Sequence, residues 1–167
     1  AFFVTGNANV STGAGSALGL AGLTAAEVVF MNQTKPNGQP LAVVPTILLV
    51  PSALKRTALA LMNSSIVVSG NTTAAPNGNT FEGNFKVVSS PFLSNANFTG
   101  YSAAAWYLLA DPQRLATIEV ALLNGREAPV VEEAVADSNV LGITMRGYHD
   151  WGTSLQEPRA GVRSAGS

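Results

Sequence analysis

Two periodicities divide the chain. Leu54, Ala58, Leu61 and Met62 recur at the spacing of one helix face, with Lys55 and Arg56 turned away, so a helix capped by Ser52 runs to about Met62. An earlier helix, about Ala25 to Asn32, follows Thr24-Ala25-Ala26-Glu27. That tetrapeptide has the form of a capping box, in which the Thr24 hydroxyl accepts the Glu27 amide while Glu27 reaches back. Shorter apolar runs read as strands: Thr46 to Val50, stopped by Pro51; Phe85 to Val88, ended by Pro91; and Ala105 to Leu109. Asp111-Pro112 opens a short helical turn.

The last third reads as sheet. Ile118 to Leu123, then Asn124-Gly125, then Arg126 to Val131 predicts a hairpin, because Asn-Gly suits the two positive-φ positions of a type I′ turn. From Leu141 to Leu155, apolar Leu141, Ile143 and Met145 alternate with Thr144, Arg146 and Tyr148, which predicts one long half-buried strand. Residues 5–22, rich in Gly, Asn, Ser and Ala, read as an irregular connection. Asn63 to Asn84, centred on Pro76-Asn77-Gly78-Asn79, reads as a long flexible or exposed loop. Glu157 to Ser167 reads as a loosely held tail of small residues.

Charge sharpens this division. Residues 1–110 carry six charged side chains and residues 111–167 the other thirteen, so two regions meet near Asp111-Pro112. Over all 167 residues, apolar side chains make up 47%, enough for a core, but charged ones only 11%, against about 25% in an ordinary soluble domain. With a net charge of −1 and a mean hydropathy of +0.25, little keeps a free monomer soluble, and much of the surface is expected to lie against other protein.

Several functions find no support. Lys55-Arg56 is the densest basic stretch and the phenylalanines are not interleaved with Lys or Arg, so no phosphate track or stacking groove is visible. With no cysteine, one histidine and scattered carboxylates, no metal spacing or cofactor motif emerges. Glu132, Glu133 and Asp137 read as a solvated acidic turn. His149, beside Asp150, reads as structural or interfacial, since no Gly-x-Ser-x-Gly elbow accompanies it. Gly13-x-Gly15-x-x-x-Gly19 has the wrong spacing for a phosphate loop and no following Lys. No apolar run reaches the ~20 residues of a membrane span. The chain opens on Ala-Phe-Phe-Val without Met or a basic region, which reads as the middle of a domain rather than a signal peptide.

The order of the segments carries a resemblance. Pro45-Thr-Ile-Leu-Leu-Val-Pro-Ser-Ala-Leu54 is followed by Phe85-Lys-Val-Val-Ser-Ser-Pro-Phe-Leu-Ser-Asn95 and Ala105-Trp-Tyr-Leu-Leu-Ala-Asp-Pro112. Then come Ile118-Glu-Val-Ala-Leu-Leu-Asn-Gly-Arg126 and Leu141-Gly-Ile-Thr-Met-Arg-Gly-Tyr-His-Asp-Trp-Gly152. From about Leu23 to Arg163 this series resembles the C-terminal part of tailed-phage major capsid proteins. It is most similar to Mu-like prophage major head subunits and the capsid portion of prohead protease–capsid fusion proteins.

The resemblance implies an α+β chain with the Hong Kong 97-like capsid fold. Residues 1–22 would be a connector, 23–116 an axial-domain-like region, and 117–167 a peripheral-domain-like β region with its tail. The family's N-terminal arm, extended loop and spine helix would lie upstream of Ala1. The implied role is a non-enzymatic head subunit that self-assembles into an icosahedral shell around DNA, in the virion and, during assembly, in the bacterial cytoplasm. Its partners would be hexamers and pentamers of itself, with scaffold, prohead protease and portal; DNA would be held only non-specifically, and no membrane or cofactor is implied. Subunit salt bridges would involve Arg114, Arg126, Glu127, Arg146 and Asp150. The alternatives are a nanocompartment shell protein of the same fold class and a small α+β hydrolase, for which a concave pocket with convergent titratable groups would be the mark.

Overall fold

The computed structural model describes residues 2–67, 77–133, 139 and 142–167. Among these the chain is α+β. The strands are β1 (Val10–Ser11), β2 (Pro45–Pro51), β3 (Ile66–Val67), β4 (Asn77–Gly78), β5 (Lys86–Ser90), β6 (Trp106–Ala110), β7 (Ile118–Leu122), β8 (Val130–Glu133), β9 (Met145–Tyr148), β10 (Trp151–Leu155) and β11 (Gly161–Ser164). The helices are α1 (Leu20–Met31) and α2 (Lys55–Asn63). The chain divides into two units, residues 1–117 with 157–167, and residues 118–156.

The first unit is built on a mixed sheet of order β1-β11-β6-β2-β5. β2 and β5 run parallel, with α2 in the connection between them, while β6 is antiparallel to both β2 and β11. Side chains alternate across such a sheet, so residues in register share a face. Val87, Leu48, Leu108 and Val162 form one row, and with Val50 and Trp106 they pack against Leu23, Ala26 and Phe30 of α1 and Ala58, Leu61 and Met62 of α2. Trp106, the largest fully buried side chain, donates its indole N–H to the Ser16 carbonyl at 3.0 Å.

The opposite face carries Val88, Leu49, Tyr107 and Arg163 in one row and Lys86, Ile47, Leu109 and Gly161 in the next. The Phe3 ring lies 5.3 Å from that of Tyr107. A Cβ at Gly161 would come within 2.9 Å of Leu109 and 3.4 Å of Phe3, so the close approach of Phe3 to this strand depends on glycine there. Toward β5 the face is more open, with Lys86 and Val88 exposed.

The strands read from the sequence at 46–50, 85–88 and 105–109 are present, as is the turn at Asp111, whose carbonyl accepts from the Arg114 and Leu115 amides at 3.0 Å. The helix over 55–63 buries Ala58, Leu61 and Met62 as expected, but no side chain caps it, and Ser52–Leu54 forms a 3-10 turn ahead of it. Four other expectations are corrected.

The first concerns α1, which begins at Leu20 rather than Ala25. Thr24 is therefore inside it, its hydroxyl donating back to the Leu20 carbonyl at 2.8 Å instead of capping. The early start is made possible by buried Gly22, where a Cβ would stand 2.0 Å from the Ala17 carbonyl oxygen.

The second is the 5–22 connection, which is pinned rather than irregular throughout. It contains β1, and the wholly buried Asn9 accepts from the Val4 amide and donates to the Phe2 and Pro158 carbonyls, each at 3.0 Å. The third is the tail. β11 lies between β6 and β1 with Val162 and Ser164 fully buried, so Glu157–Ser167 is a central part of the first unit. Small residues are what let it enter that position.

The fourth is the loop 63–84, of which residues 68–76, including Pro76, lie outside the described residues. Its remainder is anchored. Asn79 donates to the Leu61 and Ser64 carbonyls at the end of α2 and accepts from the Phe81 amide, and Phe81 and Phe85 are buried with their rings 6.0 Å apart.

Candidate functional site

The second unit differs from the expected hairpin and long strand. Asn124 and Gly125 do adopt positive φ, 55° and 68°. The turn they make does not join paired neighbours, however: β7 pairs with β10, and β8 with β9, both antiparallel. The Leu123 amide donates to the Asp150 carbonyl at 3.1 Å, prolonging the β7–β10 ladder to the turn. Pro129, without an N–H, stands before β8 begins. Because β7 and β8 are separate, their partners are separate too, and the single strand read over 141–155 is broken at His149-Asp150. Leu141 and Asp137 lie outside the described residues.

Pairing fixes which side chains share a face. Ile118, Val120 and Leu122 stand beside Leu155, Thr153 and Trp151, while Glu119 and Ala121 share the reverse face with Ser154 and Gly152. One side of the ribbon is thus apolar except for Thr153. Yet Ile118, Val120, Trp151 and Leu155 are each more than half exposed. Val131, Ile143 and Met145 are still more open. Among the described residues of 118–156 not one is buried. An isolated two-stranded ribbon is marginally stable at best in water.

Of the charged residues expected at subunit contacts, the structure brings only Arg126 and Asp150 together. Arg126 and Asp150 come together with His149 at an open depression that also touches Leu123, Asn124 and Tyr148 and holds no serine, threonine, cysteine or lysine. There His149 Nε2 lies 3.3 Å from the Arg126 carbonyl. Glu127 is exposed and outside that lining. Arg146 pairs instead with Glu132, its Nη2 2.6 Å from Oε1 and its Nε donating to the same oxygen at 2.7 Å, both side chains exposed. Arg114 belongs to the first unit, exposed in the turn after β6. The described residues contain no group of three or more His, Cys, Asp or Glu able to hold a metal ion.

Sequence reasoning did not single out the exposed apolar residues. The signal was present in the alternation of Ile118, Val120 and Leu122, but alternation reports that one face is apolar and not whether the same chain covers it. The first unit has a second such surface. Phe92 and Phe98 meet edge to face at 5.7 Å, and with Tyr101 they are exposed beside Tyr107.

Contiguous exposed apolar residues of this kind mark surfaces at which a protein meets a partner. The chain belongs to the phage capsid protein family, whose family model matches residues 1–164. No curated protein and no solved structure matches it. The family is one of structural proteins, subunits of a viral capsid that assemble with further capsid subunits. No helix among the described residues is long and apolar enough to cross a membrane.

Proposed function

We propose that the chain is part of a major head subunit of a tailed phage or prophage, with the Hong Kong 97-like fold, which self-assembles into an icosahedral shell enclosing DNA. One observation carries this reading: residues 118–156 present an apolar ribbon with no buried side chain among those described. Full burial of a large apolar side chain is worth roughly 1.5–3 kcal/mol, so covering what each leaves exposed contributes about 1 kcal/mol apiece. A closed shell repeats such a contact many times, so individually weak contacts suffice for a stable particle.

In this reading the first unit is the axial-type region and the second the peripheral-type region. Arg114, Arg126, Glu127, Arg146 and Asp150 supply charged contacts between subunits. Scaffold, prohead protease and portal are the further partners, the host cytoplasm is the site of assembly, and DNA is enclosed without sequence-specific contact. No catalytic step is assigned to any residue.

The test replaces Ile118, Val120, Trp151 and Leu155 together by serine in the full-length protein. Of the two tryptophans in this sequence only Trp106 then remains, and its buried-type fluorescence reports the core of the first unit. The expected result is retained Trp106 emission with loss of large particles. Particles formed as readily as by the parent protein would overturn the role given to the ribbon.

A further inference from the structure

The two units carry opposite net charge. Residues 118–156 hold six Asp/Glu against two Arg, a net of −4, whereas the remainder holds seven Lys/Arg against four Asp/Glu, a net of +3. Their exposed apolar surfaces are divided in the same way. The acidic unit offers the ribbon face around Trp151. The basic unit offers the aromatic shelf of Phe92, Phe98 and Tyr101, which reaches Tyr107 on the half-buried sheet face. The charged strand residues on that sheet face are Lys86 and Arg163, both cationic.

A contact between two ribbons would press two units of −4 together. A contact between two shelves would do the same with positive charge. Ribbon against shelf joins apolar surface to apolar surface and brings together units of opposite net charge, which favours encounter and disfavours the like-charged pairings. We infer that the β7–β10 ribbon of one copy's acidic unit docks, through Trp151 and its apolar neighbours, on the aromatic shelf of Phe92, Phe98 and Tyr101 in the basic unit of the next copy.

The inference rests on the shell reading and names the surfaces that meet in it. The contact is heterologous, each copy giving its ribbon and receiving another's. Heterologous contacts close into rings when the rotation between copies allows it, so ring-shaped capsomers follow from one repeated joint.

The test is photocrosslinking in assembled full-length protein. Trp151→p-benzoylphenylalanine is prepared with natural isotopes, mixed with 15N-labelled parent protein, assembled and irradiated. The expected products are mixed-isotope cross-links from position 151 to the segment 91–107. Mixed-isotope links into 118–156, links to another part of the first unit, or links within one chain only would each overturn the docking. The shell reading would survive all three, because it is judged separately by whether the unmodified protein forms particles.

A second variant, Lys86→Glu, which lowers the net charge of the basic unit from +3 to +1 at an exposed position, keeps the question open to refutation if the photoreactive side chain blocks assembly. It should raise the protein concentration needed for assembly about tenfold at low salt, and less at high salt, since exposed charges are screened. An unchanged concentration would overturn the inference.

Discussion

Trp106 and Ser164 converge on one acceptor, the main-chain carbonyl of Ser16, at 3.0 Å from the indole N–H and 2.7 Å from the serine hydroxyl. All three residues are buried, and they join β6, β11 and the segment ahead of α1 at one point. Replacing Trp106 by Phe removes one donor and leaves a gap, while Ser164 still satisfies the carbonyl. The expected loss is about 2 kcal/mol, read as a lower urea midpoint with unchanged slope. An unchanged midpoint would show that the first unit does not depend on this junction.

Gly22 reverses an ordinary rule. A helix-interior glycine replaced by alanine usually gains up to about 1 kcal/mol. Here the added Cβ would stand 2.0 Å from the Ala17 carbonyl oxygen, a backbone atom that cannot swing aside. Gly22→Ala should therefore lower the melting temperature, by several degrees, in differential scanning calorimetry. Gly142→Ala, at an exposed position where nothing lies within 4 Å, serves as the comparison and should change it little.

The C-terminal segment is predicted to be indispensable. Removing residues 161–167 takes away β11, the strand between β6 and β1. The truncated chain should lose cooperative unfolding by circular dichroism. The milder Val162→Ala, at a fully buried position, should cost roughly 2 kcal/mol. A truncated protein that melts like the parent would contradict the placement of the tail.

Arg146 separates folding from assembly. Its pair with Glu132 is exposed on both sides, and such pairs contribute about 0.2–1 kcal/mol. Arg146→Glu should shift the melting temperature by no more than a few degrees, yet impair particle formation. Normal particles from this variant would remove Arg146 from the proposed contacts.

What the sequence made legible follows the reach of its signals. Thr46 to Val50 and Ala105 to Leu109 were readable because each is buried by its own sheet and helices, so composition and packing agree. β11 was not, because Gly161, Val162 and Ser164 hold their place through Trp106, Ser16 and Phe3, partners far away in the chain. Asn124-Gly125 gave the correct backbone geometry and the wrong partner: local φ preference is set by those two residues, but the pairing of β7 with β10 is set by a ladder closing between residues 118 and 155. The candidate site was half visible. Low charge pointed to burial against other protein, while the identity of the contact surface depended on Ile118, Val120, Trp151 and Leu155 sharing one uncovered face, which pairing alone reveals.

The central claim is that this surface is completed by other copies of the same protein. Light scattering of the full-length protein, with any scaffold supplied and particles imaged by negative stain, tests it most directly. Large closed particles of uniform size are the predicted result. A stable monomer or dimer under those conditions would contradict it.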